Sequence, residues 1–201
     1  MYSCVIFYTS RQVCFALPVT FLALNVFLFL GHRNVADLLL NRNAYRDCRT
    51  KTGITPLFQA CRENHISIVE LLLEHGAGVN TPFPNSRENP LTLCAEKGHQ
   101  ELVGLLLTKG AVIDCQTKKG CTPIFLSCKE GHLDISEVLL KQGANVETAD
   151  CRGNTPIMAA FKNGHATVSD CLNLCSNCYL CLLYTSPSPR DATLYRMPSS
   201  D

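Results

Sequence analysis

One four-residue pattern limits what this chain can fold into. Gly-x-Thr-Pro occurs at Gly53–Pro56, Gly120–Pro123 and Gly153–Pro156, and a degenerate form, Glu88-Asn89-Pro90, stands between the first two. The four prolines are spaced 34, 33 and 33 residues apart. A hydroxyl or amide residue followed by proline is a helix start. The side chain caps a free backbone N–H, and proline at the first helical position gives up an N–H that has no partner anyway. Five histidines, His32, His65, His99, His132 and His165, repeat the period at 33, 34, 33 and 33. The runs Leu38–Leu40, Leu71–Leu73, Leu105–Leu107 and Val138–Leu140 keep it too.

Each period therefore reads as two short helices and a turn. In Gly120–Thr148, Thr122-Pro123 opens the first helix and Gly131-His132 turns the chain. Ile135, Val138, Leu139 and Leu140 make the apolar stripe of the second helix, and Gly143 ends it. A unit this small cannot bury its own apolar face and needs copies stacked on both sides. A 33-residue period with T-P-L, G-H and L-L-x-x-G-A resembles the ankyrin repeat. The resemblance implies an all-α solenoid of about four repeats, helix-turn-helix pairs joined by β-hairpin fingers, over residues 31–170. The divisions are 31–49, 50–82, 84–116, 117–149 and 150–170. Thr81–Arg87 holds a one-residue insertion, and Pro82 and Pro84 are expected to stiffen and lengthen that finger.

A finer resemblance rests on three stretches in order: Asn80–Arg87 with Leu91-Thr92 and Glu96–His99, Lys118–Pro123, and Thr155–His165. These look like late repeats of the multiple-ankyrin-repeat, single-KH-domain scaffold proteins. Cys61 and Cys94 depart from that pattern where alanine is usual, and Asn64 replaces the glycine before His65. No Gly-x-x-Gly loop occurs in the chain, so the RNA-binding activity of a KH module does not carry over. What the resemblance implies is a protein-binding scaffold, cytoplasmic or nuclear, and a fragment of something larger.

In the ankyrin fold, finger tips and the exposed side of the first helices line a concave binding surface. By repeat position these are Lys51, Thr52, Ile54, Arg62 and Glu63; Asn85, Ser86, Glu88, Glu96 and Lys97; Lys118, Lys119, Cys121, Lys129 and Glu130; and Arg152, Asn154, Lys162 and Asn163. Both signs of charge are mixed, which suits protein recognition. With 17% charged residues and a net charge of +1, the chain lacks the footprint of a nucleic-acid binder.

Enzyme, cofactor and metal readings are set aside, except for a third-ranked one: an enzyme or metal protein that uses Cys171, Cys175 and Cys178. No phosphate loop, nucleophile elbow or H-E-x-x-H helix is found. The periodic histidines are expected to do one structural job, bonding a neighbouring backbone at each inter-helix turn. The chain has 13 cysteines. Cys61, Cys94 and Cys128 fall at small-residue positions of first helices, where a thiol packs as a small hydrophobe. Cys171-x3-Cys175-x2-Cys178-x2-Cys181 has metal-like spacing, but the tail discounts it. Cys181–Asp191 resembles a transposon-based sequencing adapter read in frame, and Arg196–Ser200 the adapter's constant end, so residues 171–201 are read as non-native or disordered.

Residues 1–30 form an apolar segment with no repeat motif, and 13–30 carry no charge, at the short limit for a membrane span. Gly31 starts in the middle of a repeat. Three readings stand open: a membrane anchor, a replaced helix, or the translated end of an unspliced intron, whose pyrimidine-rich DNA yields Phe, Leu and Val. The break in register favours the last. A membrane-tethered ankyrin protein is the alternative function.

Overall fold

The computed structural model describes residues 33–42, 45–50 and 52–175. The apolar segment 1–30, the adapter-like tail and Lys51 lie outside these. Nine helices follow one another among the described residues: α1 (Arg33–Asn41), α2 (Pro56–Arg62), α3 (Ile66–Glu74), α4 (Pro90–Lys97), α5 (Gln100–Thr108), α6 (Pro123–Glu130), α7 (Leu133–Lys141), α8 (Pro156–Lys162) and α9 (Ala166–Cys175). After α1 they come as antiparallel pairs, each a seven- or eight-residue first helix and a nine- or ten-residue second helix.

The starts are set by the Thr-Pro pattern. Thr55 and Thr122 accept hydrogen bonds from the backbone N–H groups of Phe58 and Phe125, both at 3.3 Å. Asn89 does more than replace threonine. Its Oδ1 accepts from Thr92 N at 2.8 Å, and Thr92 Oγ1 accepts from Asn89 N at 2.8 Å, a reciprocal capping box. Thr155 makes no side-chain cap bond.

Two rows of helices result. First helices α2, α4, α6 and α8 stack in order, and second helices α1, α3, α5, α7 and α9 stack behind them. The first-helix row packs the more closely of the two. Its contact positions are small, with Ala60, Cys61, Cys94, Ala95, Cys128 and Ala160 all fully buried or nearly so, and small side chains let helix axes approach. Closer packing on one side bends a stack toward that side. The core runs between the rows, and Leu72, Leu106 and Leu139 sit at 0% exposure at its centre. Leu38 at 65% and Tyr45 at 67% near one end of the described stack, and Phe161 at 75% near the other, are large side chains left in solvent.

The fingers reverse the chain where expected, but as turns; no strand forms among the described residues. Each is closed by two backbone bonds: Thr50 N to Ile54 O, Thr117 N to Cys121 O and Asp150 N to Asn154 O at 2.9 to 3.0 Å, and Gly53, Gly120 and Gly153 N back to Thr50, Thr117 and Asp150 O at 2.8 to 3.0 Å. The reason is arithmetic. The residue after Ile54, Cys121 and Asn154 is already the next helix cap, so the returning arm has no length for a ladder. The second finger closes from Phe83 N to Glu88 O, spanning five residues where the others span four, which places the inserted residue within it. Phe83 stacks on Phe58 with ring centroids 5.5 Å apart.

Candidate functional site

The fingers are joined to each other. Lys118 N donates to Ser86 O, and Cys151 N donates to Lys119 O, both at 2.8 Å. Arg49 Nη1 reaches Pro82 O at 3.4 Å, linking the first finger to the second. Four loops thus form one bonded ridge along the edge of the first-helix row. Asp150 stiffens the last finger: its carboxylate accepts from Arg152 N, Asn154 N and the Asn154 amide at 2.8 to 3.2 Å. Partial burial pushes the Asp150 carboxyl up, but these hydrogen bonds outweigh it and hold the group below its ordinary range.

Of the residues expected to face a partner, Thr52, Arg62, Lys97, Lys118, Lys119, Arg152 and Lys162 are exposed, as are Asn85, Glu130 and Asn163. Ile54, Glu63, Ser86, Glu88, Glu96, Lys129 and Asn154 are half-buried. Ile54 packs against the main core, so only part of it is presented. Cys121 is buried at 8% exposure in a small cluster with Phe125, Leu126 and Ala159 beneath the third finger; burial pushes its thiol up. It is a floor residue, not a contact.

Charges on the first helices pair locally. Arg62 Nε meets Glu63 Oε1 at 3.1 Å and Lys129 Nζ meets Glu130 Oε1 at 2.5 Å, and that hydrogen bond raises the Lys129 pKa. Such exposed pairs contribute little to stability. The ridge differs. Among the described residues, Arg87, Lys118, Lys119 and Arg152 form no ion pair. Lys162 Nζ bonds only the neutral amide oxygen of Asn154. Sequence reasoning did not place Arg49 or Arg87 at the site. Arg87 is three residues before Pro90, the register of Gly53, Gly120 and Gly153, and that offset was the available signal.

One of the periodic histidines makes the backbone contact expected. His132 Nε2 bonds Glu96 O at 3.1 Å, tying its turn to the first helix of the preceding repeat. To get there the ring passes over Gly98, where an added Cβ would stand 2.8 Å from His132 Cε1. His165 lies on Gly131 in the same way, at 2.6 Å. One repeat earlier the glycine is Asn64, at φ 58°. There the equivalent ring, His99, has a buried Nε2 without an acceptor in hydrogen-bond geometry. Burial lowers the His99 pKa, against the pull of the Arg62 backbone carbonyl.

Cys61, Cys94, Cys115, Cys121, Cys128 and Cys151 are not in disulfides. Burial pushes the Cys115 and Cys128 thiols up to about 11. Of the cysteine run near the end, Cys178 and Cys181 lie outside the described residues. Among the described residues no group of three or more His, Cys, Asp or Glu is placed to hold a metal ion, and no helix is long and apolar enough to cross a membrane.

Paired short helices, glycine-histidine turns and a ridge of bonded loops define a stacked helical-repeat module. A family profile described as ankyrin repeats (3 copies) matches residues 22–117 and again 91–176, and the chain belongs to the ankyrin-repeat family. Ankyrin repeats are protein-interaction modules. The chain is 43% identical over 104 residues to "Ankyrin repeat and KH domain-containing protein mask" of Drosophila melanogaster, covering 51% of this chain and 3% of that protein. It is 44% identical over 102 residues to human "Ankyrin repeat and KH domain-containing protein 1", covering 50% of this chain and 4% of that protein. Inversin of Danio rerio is 33% identical over 81 residues, 40% of this chain and 8% of that protein. The matched region is thus a small part of each relative's length.

Proposed function

We propose that this chain is a non-enzymatic segment of a longer scaffold and grips a partner protein on the concave side formed by the finger ridge and the first helices. The reading draws on one observation above all. The ridge is fixed in the free protein by its own inter-finger backbone bonds, from Ser86 O to Lys118 N and from Lys119 O to Cys151 N, so a partner meets a surface that needs no ordering on binding. Mixed charge on the first helices supports a protein partner over a nucleic acid. The setting is cytoplasmic or nuclear, in keeping with cysteines such as Cys61, Cys94 and Cys128 that pack as small buried hydrophobes. No cofactor or metal is part of the function.

A photo-crosslinking residue placed at Thr52, Glu96 or Lys97 should trap a partner in cells. The same residue at Glu74, Lys109 or Lys141, on the second-helix side, should not. Equal capture from both sides, or capture from the second-helix side alone, would end this reading.

A further inference from the structure

Charge in this molecule is sorted by row. The second-helix row, α1 included, carries Asp37, Glu70, Glu74, Glu101, Asp134, Glu137 and Asp170 against Arg33 and Lys141, which pair with Glu70 and Glu137. The ridge is the reverse. Arg87, Lys118, Lys119 and Arg152 project into solvent without ion pairs, and Lys162 stands beside the last finger. The carboxylate nearest the last tip, Asp150, is engaged in holding its own loop, and it also attracts the Arg152 side chain electrostatically. Glu88 is the other acid on the strip.

Arg87 adds an independent sign. It holds φ 58° where three other fingers place glycine at φ 74° to 85°. An arginine in the left-handed region carries strain that a glycine would relieve, and such strain gathers where a side chain is needed for contact.

We infer that the finger ridge is a clamp for an extended acidic segment of a protein, with one carboxylate at about every third residue. This rests on the protein-binding reading above and specifies the partner's chemistry. The facing edges of neighbouring fingers are bonded at 2.8 Å, while equivalent points on successive fingers recur with the helix pairs beneath them, about 8–10 Å apart. A polyproline-like strand advances about 3.1 Å per residue and returns to the same side every third residue, about 9 Å. A carboxylate at each third position therefore meets Arg87, then Lys118 and Lys119, then Arg152. The acidic second-helix row disfavours a polyanion that wraps the molecule.

The test uses the full chain and three labelled probes at low salt, read by fluorescence anisotropy. The first is a peptide of Glu-Pro-Pro repeats, the second has the same composition with its glutamates clustered, and the third is an oligothymidylate. The spaced peptide should bind several-fold tighter than the clustered one, and tighter than the oligonucleotide. Lys118→Gln with Lys119→Gln and Arg152→Gln should weaken it about tenfold, since each exposed pair contributes modestly. Lys109→Gln with Lys141→Gln should change it less than about twofold. Arg87→Gly should weaken binding while holding or raising the melting temperature, which a purely structural role could not do. Preference for the oligonucleotide, equal affinity for clustered peptide, or no loss in the Arg87→Gly protein overturns the clamp. If the spaced peptide fails to bind while crosslinking from Glu96 still traps a partner, the clamp is wrong and the broader reading stands.

Discussion

Replacing Gly98 by alanine should separate two costs that usually arrive together. Gly98 ends α4 at φ 83°, and Gly110 follows α5 at φ 84°, so the two differ little in backbone strain. Their surroundings differ. A Cβ on Gly98 meets the His132 ring at 2.8 to 3.2 Å, whereas one on Gly110 meets nothing within 4 Å. Alanine in the left-handed region costs about 1–2 kcal/mol, offset in part by the lower entropy of the unfolded chain, about 0.4–1 kcal/mol. Gly110→Ala should therefore lose about 1 kcal/mol. Gly98→Ala must also push the ring aside and break the His132 Nε2 bond to Glu96 O, 3.1 Å long, worth about 0.5–1.5 kcal/mol. With the displaced packing its loss should reach about 2–3 kcal/mol. Urea unfolding followed by far-ultraviolet circular dichroism measures both, and both glycines lie between α4 and the third finger, so the same unit is probed. In a His132→Ala background the excess should disappear. Equal losses at the two glycines, or an excess that persists without His132, would refute the ring-over-glycine account.

Other outcomes follow from the same coordinates. Asn89→Ala removes a buried capping box and should cost about 1–2 kcal/mol by urea titration, while Thr155→Ala, which removes no side-chain cap bond, should cost far less. Leu106→Ala opens a cavity at 0% exposure and should cost about 2–5 kcal/mol; the half-buried Leu107 should lose clearly less. Exposed Cys151 should react with a thiol reagent at pH 8 in the native protein, and Cys128 only after unfolding. Because Cys115 and Cys128 are held near 11 against an ordinary 9.0, the unfolded thiols ionise first as pH rises. Their contribution is intact below pH 9 and is lost between about pH 9 and 11, so the urea midpoint should fall over that window.

Local signals were legible and cross-repeat ones were not. Thr55-Pro56 and Thr122-Pro123 announced their own caps, because a cap is made within three residues. The leucine runs located the second helices, and their middle members at 72, 106 and 139 are buried as periodicity demands. The histidine's task was readable, but not its acceptor: Glu96 O is 36 residues from His132. Likewise Asn64 was visible as a departure, while its consequence falls on His99 in the next repeat. Cys121 looked exposed because finger position says nothing about side-chain direction, and Phe125, Leu126 and Ala159 close over it. Arg87 was overlooked because the pattern that aligns fingers, Gly-x-Thr-Pro, is degraded at the one finger where arginine replaces its glycine.

The longer second finger shows where this architecture keeps its slack. Its surplus residue is taken up between Phe83 and Glu88, and Leu72 before it and Leu106 after it stay sealed at 0% exposure. The one extra residue at this tip therefore leaves the neighbouring helical lattice undisturbed. Asn85, exposed at the crown of that loop, is the place where foreign sequence can be spliced into the chain while the leucine rows on either side keep their seats.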